Sequence, residues 1–124
     1  MHNDTSVYDG LLEDSHGTYI AGIVAANDNG KGIVGTAPNV KIIALKFMDS
    51  QQGGDTSIAI EAILYAQRKG IKIINCSWSG DDYNPALKSV MQMSDIFFIC
   101  SAGNTGQNID ENRFILRASD LIML

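Results

Sequence analysis

Three runs of this sequence are apolar, β-branched or aromatic almost throughout: VKIIALKF (Val40–Phe47), IKIINCS (Ile71–Ser77) and DIFFICS (Asp95–Ser101). No run alternates polar with apolar, so each reads as a strand buried on both faces. Helical patterns separate the runs. Strand, helix, strand, helix, strand requires a parallel sheet with crossover connections. The fold class that follows is α/β: a three-layer arrangement, one parallel sheet with helices on both faces. A chain of 124 residues suits one domain or a piece of one.

The helical stretches carry their own punctuation. Ser15 is placed to cap a helix from His16 to about Asn27, with Ile20, Ile23 and Val24 on one face. DNGKGIVG then reads as a loop and SQQGGD as a turn. In DTSIAIEAILYAQRKG, Asp55 or Thr56 can cap, and Ile58, Ile60, Ala62, Ile63 and Ala66 face mostly inward. Arg68 and Lys69 precede Gly70, a C-terminal cap. NPALKSVMQM is a helix with Pro85 in its first turn. In parallel sheets, sites form beyond the carboxyl ends of the strands. Those ends are FMDSQQGG, NCSWSG and CSAGNTG, all small, polar and glycine-rich, and they predict one cleft.

Composition removes several functions. A net charge of −5 argues against a nucleic-acid partner. No apolar run is long enough to span a membrane, and MHNDTSVYDG lacks the basic flank and apolar core of a signal peptide. Cys76 and Cys100 have no CxxC spacing, and each ends an apolar run as a buried free thiol would. GGDTS precedes a helix, yet neither GxxxxGK[ST] nor GxGxxG occurs, so nucleotide binding is disfavoured. His2 and His16 have no second metal ligand at a recognised spacing.

Nucleophilic catalysis fits better. His16 opens a helix, which fixes its ring, and Gly17 allows close backbone approach. Read alone, His16 is more often a polar residue starting an ordinary helix. Asn104 in SAGN shifts that balance, because an amide N–H at a strand's carboxyl end can stabilise an oxyanion. The rival reading of Asn104 is a left-handed turn residue.

Together these residues resemble the subtilisin-like serine proteases (subtilases, peptidase family S8). HGTYIAG from His16 is similar to the family's H-G-T-x-V/I-A-G, and NGKGIVGTAPNVKIIALKFMD to its G-V-x-G-V-A-P stretch. IINCSWSG resembles I-N-x-S-L-G, and CSAGNTG resembles A-A-G-N. The likeness runs from about Asp14 to Gly106, four motifs in the family's order, and identifies residues 1–124 as a partial catalytic domain.

The resemblance implies roles position by position. His16 matches the general base and Asn104 the side-chain donor of the oxyanion hole. Ser77, Trp78, Ser79 and Gly80 match the segment lining the substrate pocket, with Trp78 where a Leu is usual. Gly53 and Gly54 match the strand that pairs with an extended peptide substrate. Asn29 matches a ligand of a calcium loop found in some members; its companions upstream are absent, so calcium is a weak expectation and no other cofactor is implied. The partner implied is a peptide or protein substrate. Family members are often secreted and sometimes intracellular.

Two members of the triad have no match. The family's Asp stands roughly thirty residues before its His, and its Ser roughly 150 after, in the order Asp, His, Ser. Asp4, Asp9 and Asp14 are too near His16, and none stands in D-[ST]-G. G-T-S-M-A does not occur, and Ser77, Ser101 and Ser119 occupy other motifs or none. The tail, residues 113–124, departs from the family. Among the codons allowed for Ile115–Leu124 is a set that, read with one extra thymine in front, gives Tyr-Pro-Ala-Ser-Phe-Gly-Phe-Asn-Asn-Val. That product is family-like, so the expectation is a frameshift that truncates a longer protease.

The reading is therefore a segment of a serine endopeptidase, itself inactive, with an uncovered sheet edge through which it self-associates. The alternative is a non-catalytic peptide-binding module that keeps the substrate groove.

Overall fold

The computed structural model describes residues 15–49, 53–79, 83–106 and 108. The chain divides into two compact units, Met1–Gly54 and Asp55–Leu124.

In the first unit, α1 spans His16–Ala25. Ser15 does not cap it. A capping residue holds extended backbone so that its side chain turns back to the first free N–H groups. Ser15 is already helical, at φ −75° and ψ −6°, and its hydroxyl makes no cap bond. The helix ends two residues short of Asn27, because Ala26 swings to ψ 133°. The chain then returns over the helix end. Gly35 N–H donates to Ala26 O (2.9 Å), Thr36 N–H to Ile23 O (3.0 Å) and Ala37 N–H to Val24 O (2.7 Å). Those bonds satisfy carbonyls that a helix terminus leaves without partners. The approach is close because Gly35 has no side chain: a Cβ there would lie 2.5 Å from both Ala25 N and Ala26 N.

Residues 40–47 are not a strand. The first ladder is β1 (Met48–Asp49) against β2 (Gly53–Gly54), antiparallel, with Met48 opposite Gly54 and Asp49 opposite Gly53. Val40, Ile42 and Ile43 remain about half exposed, at 50%, 47% and 52%. An apolar run becomes a strand only when neighbours complete its hydrogen bonds. Among the described residues, 40–47 forms no ladder with another segment.

The second unit follows the predicted alternation. Helix α2 (Thr56–Arg68) begins at Asp55, whose carboxylate accepts from Ser57 N–H at 2.6 Å. It ends at Gly70, φ +72°, with Gly70 N–H donating to Gln67 O and Ile71 N–H to Ala66 O. That paired closure places glycine where an L side chain would be strained. Strand β3 (Ile73–Cys76) leads to α3 (Pro85–Met93) and β4 (Phe97–Cys100). Asn84 caps α3, its side-chain oxygen accepting from Ala86 and Leu87 N–H at 3.0 Å each. β3 and β4 are parallel neighbours in the register 73↔97, 74↔98, 75↔99 and 76↔100.

The helices and strands of this second unit share one core. Ala59, Ala62, Ile63 and Ala66 are buried, a stripe at helical spacing. Ile63 meets Leu87 and Met91 of α3, and Ile74, Phe98 and Cys100 pack against that cluster. Ile58 and Ile60, expected inward, are half-buried, and Ala59 takes the inner position. The opposite sheet face carries Ile73, Phe97 and Ile99, exposed by 63%, 65% and 49%. Within this unit the strands are covered on one face by described residues, not on both. The runs are apolar on both sides, as a three-layer sheet requires, while α2 and α3 supply one layer.

Candidate active site

The first unit holds four of the expected positions, His16, Asn29, Gly53 and Gly54. His16 is the first residue of α1 and is exposed. The space over Gly17 is open: among the described residues nothing lies within 4 Å of a Cβ built there, so no backbone makes the close approach expected of that glycine. Gly53 and Gly54 form the exposed strand β2. Gly53 is left-handed at φ +72°, and a Cβ on Gly54 would lie 2.5 Å from Met48 Cγ. Two glycines there let the hairpin turn and close on itself.

Asn29, the weak calcium candidate, lies in an exposed loop. Its side-chain oxygen accepts from Lys31 N–H at 3.0 Å, which shapes the loop between Gly30 (φ +73°) and Gly32 (φ +68°). No group of three or more His, Cys, Asp or Glu side chains converges among the described residues.

The second unit gathers its expected residues at one edge. Parallel strands of equal reach end side by side, so the segments after Cys76 and Cys100 leave the sheet together. Ser101 N–H donates to Cys76 O at 3.1 Å and ties them. Ser77, Trp78 and Ser79 follow β3, while Ser101, Gly103 and Asn104 follow β4. Gly80 lies outside the described residues, as do Asp4, Asp9, Asp14, Ser119 and the atypical tail.

Local hydrogen bonds shape both segments. Asn75 Nδ2 donates to Ser77 Oγ at 2.6 Å. Gly103 N–H donates to Ser101 Oγ at 3.1 Å, and Gly103 takes φ +81°. Both serine oxygens are therefore engaged in their own turns. Asn104 is exposed, and no residue other than glycine has positive φ among those described. The turn reading of Asn104 thus fails: Gly103 supplies the left-handed conformation, and the Asn104 amide is not required for it. Trp78 is half-buried and packs against the core of Ile63, Leu87 and Met91, so much of its ring is committed inward.

One arrangement escaped the linear reading. Cys76 and Cys100 stand directly opposite one another. The signal was present in the matching ends of INCS and FICS, because two parallel strands with the same ending align it. The hydrogen bond Cys76 donates to Cys100 holds the Cys100 thiol below its usual range against an opposing push from burial. The same bond, then burial, pushes the Cys76 thiol up.

The sequence matches the model of the subtilase family over residues 2–115. It is 37% identical to subtilisin DY of Bacillus licheniformis over 102 residues, which is 80% of this chain and 37% of the relative. It is 34% identical to an intracellular serine protease of Paenibacillus polymyxa over 100 residues, 78% of this chain and 31% of that protein. With subtilisin E of Bacillus subtilis (strain 168) it shares 37% identity over 97 residues, 76% of this chain and 26% of the relative. The chain thus spans little more than a third, or less, of the length of these relatives.

Proposed function

The chain belongs to the subtilase family, with the α/β fold of subtilisin, and on that premise we propose that it is a segment of a serine endopeptidase catalytic domain. Peptide or protein chains are the substrate class. The observation that carries this reading is the match over residues 2–115, inside which HGTYIAG and SAGN stand in the family's order.

In acyl transfer a serine hydroxyl attacks the peptide carbonyl, a histidine takes the proton, and donors stabilise the resulting oxyanion. His16 serves as that base and later returns the proton to the leaving amine. Asn104 offers a side-chain N–H to the oxyanion. Loss of such a donor lowers kcat by about 10²–10³, a figure measured on a subtilisin and not worked out from this chain. The Ser77–Gly80 segment flanks the substrate side chain, and Gly53–Gly54 presents backbone to an extended peptide.

The 124 residues offer no match to the family's nucleophile or orienting acid, so this chain by itself hydrolyses nothing by a triad. A serine-reactive fluorophosphonate probe tests this. The expected result is no labelling of the isolated chain. One serine labelled in the parent and not in His16→Ala would overturn it. The exposed β2 strand also favours a second reading, a peptide-binding module without catalysis. Chemical-shift changes at Gly53 and Gly54 on adding an extended peptide, with no cleavage, would support that reading over the first.

A further inference from the structure

Beyond the proteolytic reading, the second unit carries a pair of nucleophiles that the peptidase mechanism does not use. Cys76 ends β3, Cys100 ends β4, and the parallel register sets them opposite each other. Opposed residues of neighbouring strands project from the same face, with backbones about 4.8 Å apart. Disulfides form between residues whose Cα atoms are about 4.4–6.8 Å apart. Both thiols are free. They differ in access: Cys76 is buried at 3% exposure, whereas Cys100 is half-buried at the edge of the core.

We propose that Cys76 and Cys100 form a peroxide-sensitive dithiol, a modification site in which Cys100 is oxidised first and Cys76 resolves it to a cross-strand disulfide. Cys100 is suited to react first because it is the more accessible thiol. Its sulfur attacks one oxygen of hydrogen peroxide, the O–O bond breaks, and Cys100 becomes a sulfenic acid with release of water. Cys76 then attacks the Cys100 sulfur, the S–O bond breaks, and a second water leaves with the Cys76 proton. In balance, two thiols and one hydrogen peroxide give one disulfide and two waters. Peroxide is the only oxidant required.

The crosslink lies at the strand ends from which the Ser77–Ser79 and Ser101–Asn104 segments depart. It would fasten β3 to β4 next to the Ser101 N–H to Cys76 O bond. Oxidation therefore acts on the backbone that positions Asn104, without touching Asn104 itself.

The test is intact-mass and peptide mapping of the full chain after hydrogen peroxide, with and without denaturant. In the folded parent, loss of two hydrogen atoms is expected, with a peptide linking Cys76 to Cys100. Formation should be at least ~tenfold faster than in guanidinium, since the fold and not chance encounter brings the thiols together. A cyclic-dione probe should trap a sulfenic acid at Cys100 in Cys76→Ser, and little at Cys76 in Cys100→Ser. Equal rates in folded and denatured chain, a dimer as the main disulfide product, or first trapping at Cys76 would each overturn the proposal. Cys76→Ala provides a second variant if the serine hydroxyl disturbs the core.

Discussion

Replacing Gly35 by alanine perturbs the first unit at one atom. The added Cβ would sit 2.5 Å from Ala25 N and Ala26 N and 2.7 Å from Ala25 Cα. All three are backbone atoms, so no side chain can swing aside. Either the 35–37 segment lifts from the end of α1 or the helix end gives way. Lifting breaks the bonds from Gly35, Thr36 and Ala37 N–H to Ala26, Ile23 and Val24 O. Each such bond is worth about 1 kcal/mol net, giving roughly 3 kcal/mol for the three. At 1.4 kcal/mol per factor of ten, that is about a hundredfold loss of amide protection. Native-state hydrogen exchange read at residues 35, 36 and 37 is the assay. A parallel Gly30→Ala variant controls for general strain, since Gly30 is left-handed with nothing within 4 Å. It should leave the protection of 35–37 largely unchanged. If Gly35→Ala kept protection at those three amides within about threefold, a change of ~0.7 kcal/mol, the close approach would not be what the glycine is for.

Two further outcomes follow from exposed charge and exposed apolar surface. The carboxyl of Asp95 is held below its ordinary value of 3.8 by the ion pair with Lys72, and that of Asp55 by the bonds from Ser57. A lowered carboxyl stabilises the fold above its unfolded pKa and ceases to do so as pH falls through the folded value. The stability difference between parent and Asp95→Asn should therefore be present near neutrality and close below the ordinary carboxyl value of 3.8, as urea midpoints at several pH values will show; a gap that widens in acid would refute the sign. The face of Ile73, Phe97 and Ile99 should make the isolated chain associate. Sedimentation velocity at rising concentration should show oligomers, reduced by Phe97→Lys, and a sharply melting monomer at high temperature would contradict this.

Legibility varied with how local the signal was. The end of α2 was readable in RKGI, because the Gly70 closure uses only residues within one turn. The start of α3 was readable for the same reason, with Pro85 in the first turn. Strands β3 and β4 were readable as apolar runs, and their parallel pairing followed from the helix between them. Val40–Phe47 looked the same, yet a strand is a relation between segments, and its partner cannot be read from the run itself. Ser15 failed because capping depends on one backbone torsion that residue type does not fix. His16 and Asn104 are candidates through motif likeness rather than through packing. The paired cysteines were missed because register joins residues far apart in sequence.

The turn at Gly103 has a consequence for how position 104 can vary. The left-handed backbone is taken by one residue and the amide is carried by the next. Shape and chemistry are thus stored in adjacent but separate letters. A mutational lineage can exchange the side chain at 104 and keep the loop, so the amide is free to drift while the scaffold stays in place. Drift at 103 has no such freedom, because any side chain there disturbs the path that delivers its neighbour.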